Sequence, residues 1–148
     1  MNTKRLIRSL LLALALGGPL SAAAGEIAVV VDRDNPSAGV SVDELRSIFL
    51  GKKKDWADGT RIVPIDLTPG SDRDVFNAKV LGKSQSDVDQ YWVEQKVRGG
   101  DAAPKTAPSA ALAVKLVAKI RGAVAYVPVS AVDGSVKVLA VGGTPSIK

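Results

Sequence analysis

The chain has 148 residues and contains no cysteine and no histidine. Without cysteine there is no disulfide framework, no thiol chemistry and no anchor point for a lipoprotein lipid. Without histidine the usual general base and the commonest metal ligand are both missing. Zinc sites built on thiolate or imidazole and Ser-His-Asp triads are thereby excluded. Carboxylate, lysine or hydroxyl chemistry remains, or binding without chemistry. A strong charge of one sign is also lacking once the chain is divided. Three of its 20 Lys and Arg, and none of its 15 Asp and Glu, lie in the first 24 residues. The remaining 124 residues carry a formal charge of only +2. That is no polynucleotide-binding signature, which needs a strongly basic face, so no nucleic-acid partner is expected.

What is present begins with an export signal. Lys4, Arg5 and Arg8 precede an apolar run of Leu and Ala from Leu10 to Leu16. Gly17, Gly18 and Pro19 then break any helix, and Ala22-Ala23-Ala24 offers the small residues a signal peptidase accepts. The run is shorter than the roughly 20 residues a spanning helix needs. Residues 1–24 are therefore expected to be a cleavable signal peptide, with the mature chain starting at Gly25 or Glu26 in the periplasm. Residues 25–148 have the size of one domain.

Glu26 to Asp32 is a continuous β-branched run and predicts a buried strand. Ser41-Val42-Asp43-Glu44 reads as a capping box, opening a helix with Val42, Leu45, Ile48 and Phe49 on one face and Gly51 as its stop. Arg61 to Leu67 has strand content, with Pro64 suggesting an edge or an irregularity. A helix from Ser71 groups Val75, Phe76, Lys79 and Val80 and ends at Gly82. A third, from Ser86, carries Val88, Tyr91, Trp92 and Gln95. Residues 99–108 form the longest polar, turn-rich segment, expected to be a mobile loop. Ser109 caps a last helix bearing Leu112, Ala113, Leu116, Val117 and Ile120. Strands at 124–127 and 136–141 follow, and 142–145 carries no element. Alternating strands and helices give an α/β class, a short mixed sheet flanked by helices.

Several segments, in this order, resemble the phosphate-binding branch of the type 2 periplasmic substrate-binding proteins of ABC transporters. They are AVVVDRDNP at 28–36 and VSVDELRSIFLGKKKDW at 40–56, with its Leu-x-x-Ile-Phe-x-Gly-Lys and tryptophan, then IVPIDLTPGSDRDVF at 62–76, AVAYVPVS at 123–130 and VKVLAVGGTP at 136–145. The resemblance implies a single binding-protein-like lobe, about half of a full two-lobed member. It also implies a small phosphate-like oxyanion as ligand, a membrane transporter or sensor as partner, and no cofactor. Two paired copies would be one route to a complete cleft. Where the family carries an arginine and a Ser-Gly-Thr-like run, this chain has Asp66 and Gly70-Ser71-Asp72-Arg73.

Two readings of that loop stay open. In the first, Thr68, Gly70, Ser71, Asp72 and Arg73 form an anion site. The unpaired N–H groups of the helix start favour negative charge, two hydroxyls add donors, and an exposed Arg73 pairs with the oxyanion. In the second, Ser71 is an ordinary N-cap, Asp72 and Asp74 already satisfy the helix dipole, and the lobe is a non-binding interaction module. Trp56, Tyr91 and Trp92 are read as packing residues, and Lys52 to Lys54 as a solvated helix end. The pairs Asp43 with Glu44 and Asp72 with Asp74 are accounted for by capping. Nothing supplies a nucleophile or a metal, so no enzyme is expected.

Overall fold

The computed structural model describes residues 25–148. The expected signal peptide lies outside the described residues. The strands are β1 Ile27–Val31, β2 Gly39–Val40, β3 Val63–Leu67, β4 Lys105–Ala107, β5 Ala123–Pro128 and β6 Lys137–Val141. The helices are α1 Val42–Phe49, α2 Ser71–Phe76, α3 Gln85–Val97 and α4 Ala110–Lys119. The strands form one six-stranded mixed sheet in the order β2-β6-β1-β5-β3-β4. β1 runs antiparallel to both neighbours, with Val30 opposite Ala125 on one side and Val138 on the other. β3 is parallel to β5 and to β4, and β2 is parallel to β6.

All five residues of β1 are buried, as befits a central strand covered on both faces. The chain steps from β3 to β4 through α2 and α3, then returns from β4 to β5 through α4. Parallel crossovers are right-handed, so two steps in opposite directions place their helices on opposite faces. The packing agrees. Phe49 of α1 and Phe76 of α2 meet Tyr126 of β5, with Phe76 stacked on Tyr126 at 4.0 Å and Phe49 edge-on to Phe76 at 4.7 Å. On the other face α4 buries Ala113, Val114 and Val117. Trp56 is core, as read from the sequence, and its Nε1 donates to the Gly122 carbonyl at 2.9 Å. Gly122 is required there: its φ is +83°, and a Cβ would lie 2.1 Å from the Arg61 carbonyl oxygen.

Several local expectations are corrected. The segment 99–108 is not a loop throughout, because Lys105–Ala107 pairs with β3 as the sheet's edge strand. Gly39 and Val40 form the short strand β2, which has no strand pattern in the sequence. β3 is internal despite Pro64. Val63 donates to Gly122 on the β5 side (3.0 Å), so the next N–H would face β4, where pairing begins only at Ile65. α3 starts one residue earlier than expected, capped by Ser84, which accepts from the Asp87 N–H at 3.1 Å. In α1 the Ser41 hydroxyl does cap, accepting from Glu44 N–H at 3.0 Å, but the Glu44 carboxylate pairs with Lys53. Lys54 likewise pairs with Asp101, so the lysine run is partly held.

The helix after Ser71 is not one regular helix. At Phe76 it widens into a π turn, Asn77–Leu81, closed by the Gly82 N–H on the Asn77 carbonyl. The extra residue re-phases the face: Phe76, Asn77 and Val80 point in, while Lys79 is exposed. The Val80 carbonyl, in the last turn and so without a helical donor, accepts from Arg46 Nε at 2.7 Å. The tail beyond β6 is tied down, with Ile27 and Ile147 exchanging backbone hydrogen bonds of 2.9 and 2.8 Å. Among the described residues no helix is long and apolar enough to cross a membrane.

Candidate functional site

The turn from β3 into α2 is held from three sides. Thr68 N–H donates to the Ala107 carbonyl (3.3 Å), tying the turn to β4. The first helical hydrogen bond runs from Asp74 N–H to the Gly70 carbonyl at 2.9 Å. Arg73 folds back over the strand end, where Nη1 donates to the Leu67 carbonyl at 3.0 Å and Nη2 pairs with Asp66 Oδ2 at 3.1 Å.

This placement corrects two expectations. Arg73 is not an exposed arginine: its side chain is 11% accessible, its partner Asp66's 10%, and its Nε is buried without a partner. Ser71 is not an N-cap. It is the first residue of α2, the cap position is Gly70, and no side chain accepts from the helix start. The N–H groups of Ser71, Asp72 and Arg73 therefore have no helical acceptor, the condition under which a helix start attracts an anion.

Below the turn, Asp66 is the centre of a buried polar cluster. Tyr126, fully buried, donates its hydroxyl to Asp66 Oδ1, and the Leu67 N–H reaches the same oxygen at 2.9 Å. Burial pushes the Asp66 pKa up, opposed by the Tyr126 hydrogen bond and the Arg73 charge. Burial, and then the Asp66 charge, push the Tyr126 phenol up as well, so it remains protonated and donating. The cluster braces the turn, with the Tyr126 hydroxyl, the Leu67 N–H and Arg73 Nη2 all directed at the one carboxylate.

Thr68, Gly70, Ser71, Asp72 and Arg73 all line one pocket of 250 Å3. Ser109 and Ala110 close its other side, so the starts of α2 and α4 converge there. The sequence reading missed Ser109 as a pocket residue. Its N-cap role was visible, and its Oγ accepts from Leu112 N–H at 3.1 Å, but its position opposite Ser71 depends on the pairing of β3 with β4. Tyr126 was missed too, since a lone tyrosine in a strand gives no local sign of a partner. The pocket offers backbone N–H groups and three hydroxyls to an oxyanion, and Asp72 and Asp74 oppose it. Among the described residues no group of three or more Asp or Glu could hold a metal.

No family model and no curated protein sequence matches the chain. Solved structures do match in fold. A phosphate ABC transporter substrate-binding protein from Clostridium perfringens, solved with phosphate bound, superposes with a TM-score of 0.66 over 82% of this chain at 22% identity. An ABC-type phosphate transport receptor from Vibrio cholerae gives 0.57 over 80% at 19% identity. PstS from Borrelia burgdorferi gives 0.60 over 81% at 12% identity. The chain covers 47%, 47% and 49% of these structures, about half their length. The fold is that of the periplasmic substrate-binding proteins, with phosphate-transporter proteins as its structural neighbours. These neighbours are transport proteins rather than enzymes.

Proposed function

We propose that this protein is an exported, single-lobe substrate-binding domain that recognises phosphate or a similar small oxyanion for an ABC importer or a sensor. One observation carries the reading: the first turn of α2 opens uncapped into a pocket that also holds the hydroxyls of Thr68, Ser71 and Ser109. The fold likeness to phosphate-transporter proteins supports the same ligand class. Ser71, Asp72 and Arg73 supply the backbone N–H donors. Arg73 is a positioning residue that fixes the turn through Leu67 and Asp66. Asp72 places a carboxylate at the same end and weakens the site.

Calorimetric titration of residues 25–148 with phosphate and sulfate tests this. Asp72→Asn removes one opposing charge from the helix start and is expected to tighten phosphate binding about two- to fivefold. No heat of binding at millimolar phosphate, in either the wild type or Asp72→Asn, would sink the proposal.

A second reading is favoured by one specific observation: the Asp66 carboxylate already occupies Arg73, as a bound anion would. The lobe is then a scaffold that docks a membrane transporter, a sensor or a second copy, and the same titration shows no binding. Both readings require export. Protein recovered from the periplasm is expected to begin at or next to Gly25, and an intact mass that retains residues 1–24 contradicts this.

A further inference from the structure

Given the oxyanion reading of the α2 pocket, on which this rests, we propose that Asp66 is a proton-operated gate on that pocket. Ionised, it neutralises the Arg73 guanidinium; protonated, it leaves that charge to the bound anion. The geometry gives one cation two counter-ions to choose between. Arg73 Nη2 lies 3.1 Å from Asp66 Oδ2 and Nη1 donates to the Leu67 carbonyl at 3.0 Å, while Arg73 and Leu67 both line the 250 Å3 pocket. Arg73 Nε is buried without a partner, so internal contacts do not satisfy the whole guanidinium. Asp66 and Arg73 also border a larger cleft, of 550 Å3, and Asp66 does not line the oxyanion pocket. The carboxylate therefore exchanges its proton on one side of the pair while the cation serves an anion on the other.

The charge balance follows from the pair. While Asp66 is ionised the pair is neutral, and an incoming oxyanion meets backbone N–H groups and hydroxyls, opposed by Asp72 and Asp74. Once Asp66 is protonated, the Arg73 charge is unmatched beside the helix start, and the anion supplies the missing counter-charge.

Few other charges face Asp66. On β5 the Tyr126 hydroxyl stays protonated and donates to it. β4 sets the uncharged Thr106 opposite it. α3 brings Asp89 and Lys96 to the larger cleft, and the loop after α3 brings Asp101, which is paired with Lys54. α4 packs on the other face of the sheet through Ala113, Val114 and Val117. Burial holds the Asp66 carboxyl above its ordinary range, against the Tyr126 hydrogen bond and the Arg73 charge, and Asp89 adds to the rise. The gate therefore opens as pH falls. By linkage, an anion that prefers the protonated form raises the Asp66 pKa in turn and draws in a proton.

The test is calorimetric titration of residues 25–148 with sulfate from about pH 7 to about pH 4.5, in buffers of different ionisation enthalpy. Sulfate carries no proton across this range, whereas phosphate does, so any proton taken up enters the protein. Sulfate is expected to bind about tenfold tighter at the acid end, the scale of one nearby opposite charge, with proton uptake. Asp66→Asn keeps an acceptor for Tyr126 and removes the charge; it is expected to bind tightly at every pH, without uptake. Asp72→Asn is expected to retain the pH dependence. Should Asp66→Asn not fold, carbon-13 NMR of the wild-type Asp66 carboxyl reads the same coupling, and its titration midpoint is expected to rise with saturating sulfate. An affinity that changes less than about twofold across the range, or an unmoved midpoint, overturns the gate and leaves the oxyanion reading standing. So does pH dependence that survives Asp66→Asn, or that vanishes in Asp72→Asn and so assigns the proton to Asp72. Absence of sulfate and phosphate binding at every pH, in the wild type and Asp66→Asn alike, overturns both.

Discussion

Arg73→Ala is expected to lower stability by about 3–5 kcal/mol, the cost of stripping one partner from a buried ion pair. The reason is the Asp66 carboxylate left behind. It stays inside the fold, near Tyr126 and the Leu67 N–H, with its only cationic partner among the described residues removed. The deficit has a defined pH dependence. Burial already holds the Asp66 pKa above its ordinary 3.8, and losing Arg73 pushes it further up. A carboxyl whose folded pKa exceeds its unfolded one binds more protons when folded, so stability falls as pH rises between those two values. The variant is therefore weakest near neutral pH and recovers on acidification, as Asp66 protonates. Urea unfolding at neutral and mildly acidic pH measures this. A loss below about 1 kcal/mol near neutrality would mean that the pair behaves as a surface contact. Replacing both partners, as Asp66→Leu with Arg73→Met, is expected to restore most of the loss, since apolar pairs of similar volume often substitute for buried ions.

Phe49→Ala is expected to cost about 3–5 kcal/mol as well, by a different route. Phe49 is 2% exposed and touches Phe76 and Tyr126, with ring centroids at 4.7 and 5.8 Å. Truncation opens a cavity where α1, α2 and β5 meet, and the stacked pair at 4.0 Å cannot fill it without breaking its own contact. The loss is a large share of the ~5–15 kcal/mol that holds a domain together. Phe49→Leu keeps most of the volume and is expected to cost under about 1.5 kcal/mol. A thermal melt that scarcely moves in the alanine variant would show that the ring is not central to the core.

The elements legible in the sequence are those specified by neighbours in sequence. Ser41 and Ser109 each cap a helix through a residue three positions on, and β1 announces itself by five buried apolar residues in a row. Ser84 and Ser86 both precede the same apolar face, so local sequence does not choose between them, and Ser84 is the cap. β4 was illegible because Lys-Thr-Ala between prolines has no periodicity, and only its distant pairing with β3 makes it a strand. The candidate site divides in the same way. The Gly70-Ser71 turn was legible from local residues and from the family resemblance. Its brace was not, because Tyr126 lies 60 residues from Asp66 and meets it only once β5 is beside β3. The π turn also left no sign, since widening a helix by one residue changes the phase of a face and not its composition.

The position of β1 sets an order on how the chain can fold. Both its neighbours, β5 and β6, come from the last fifth of the sequence. Until residues 123–141 exist, the segment IAVVV has no partner on either edge, while the helices between have no central sheet to pack on. Contacts this remote in sequence require large loops to close before they contribute, which slows folding. An uncharged β-branched segment left unpaired for that interval is also the stretch most prone to pair with another chain. A chain ending before β5 should therefore be aggregation-prone rather than partly folded.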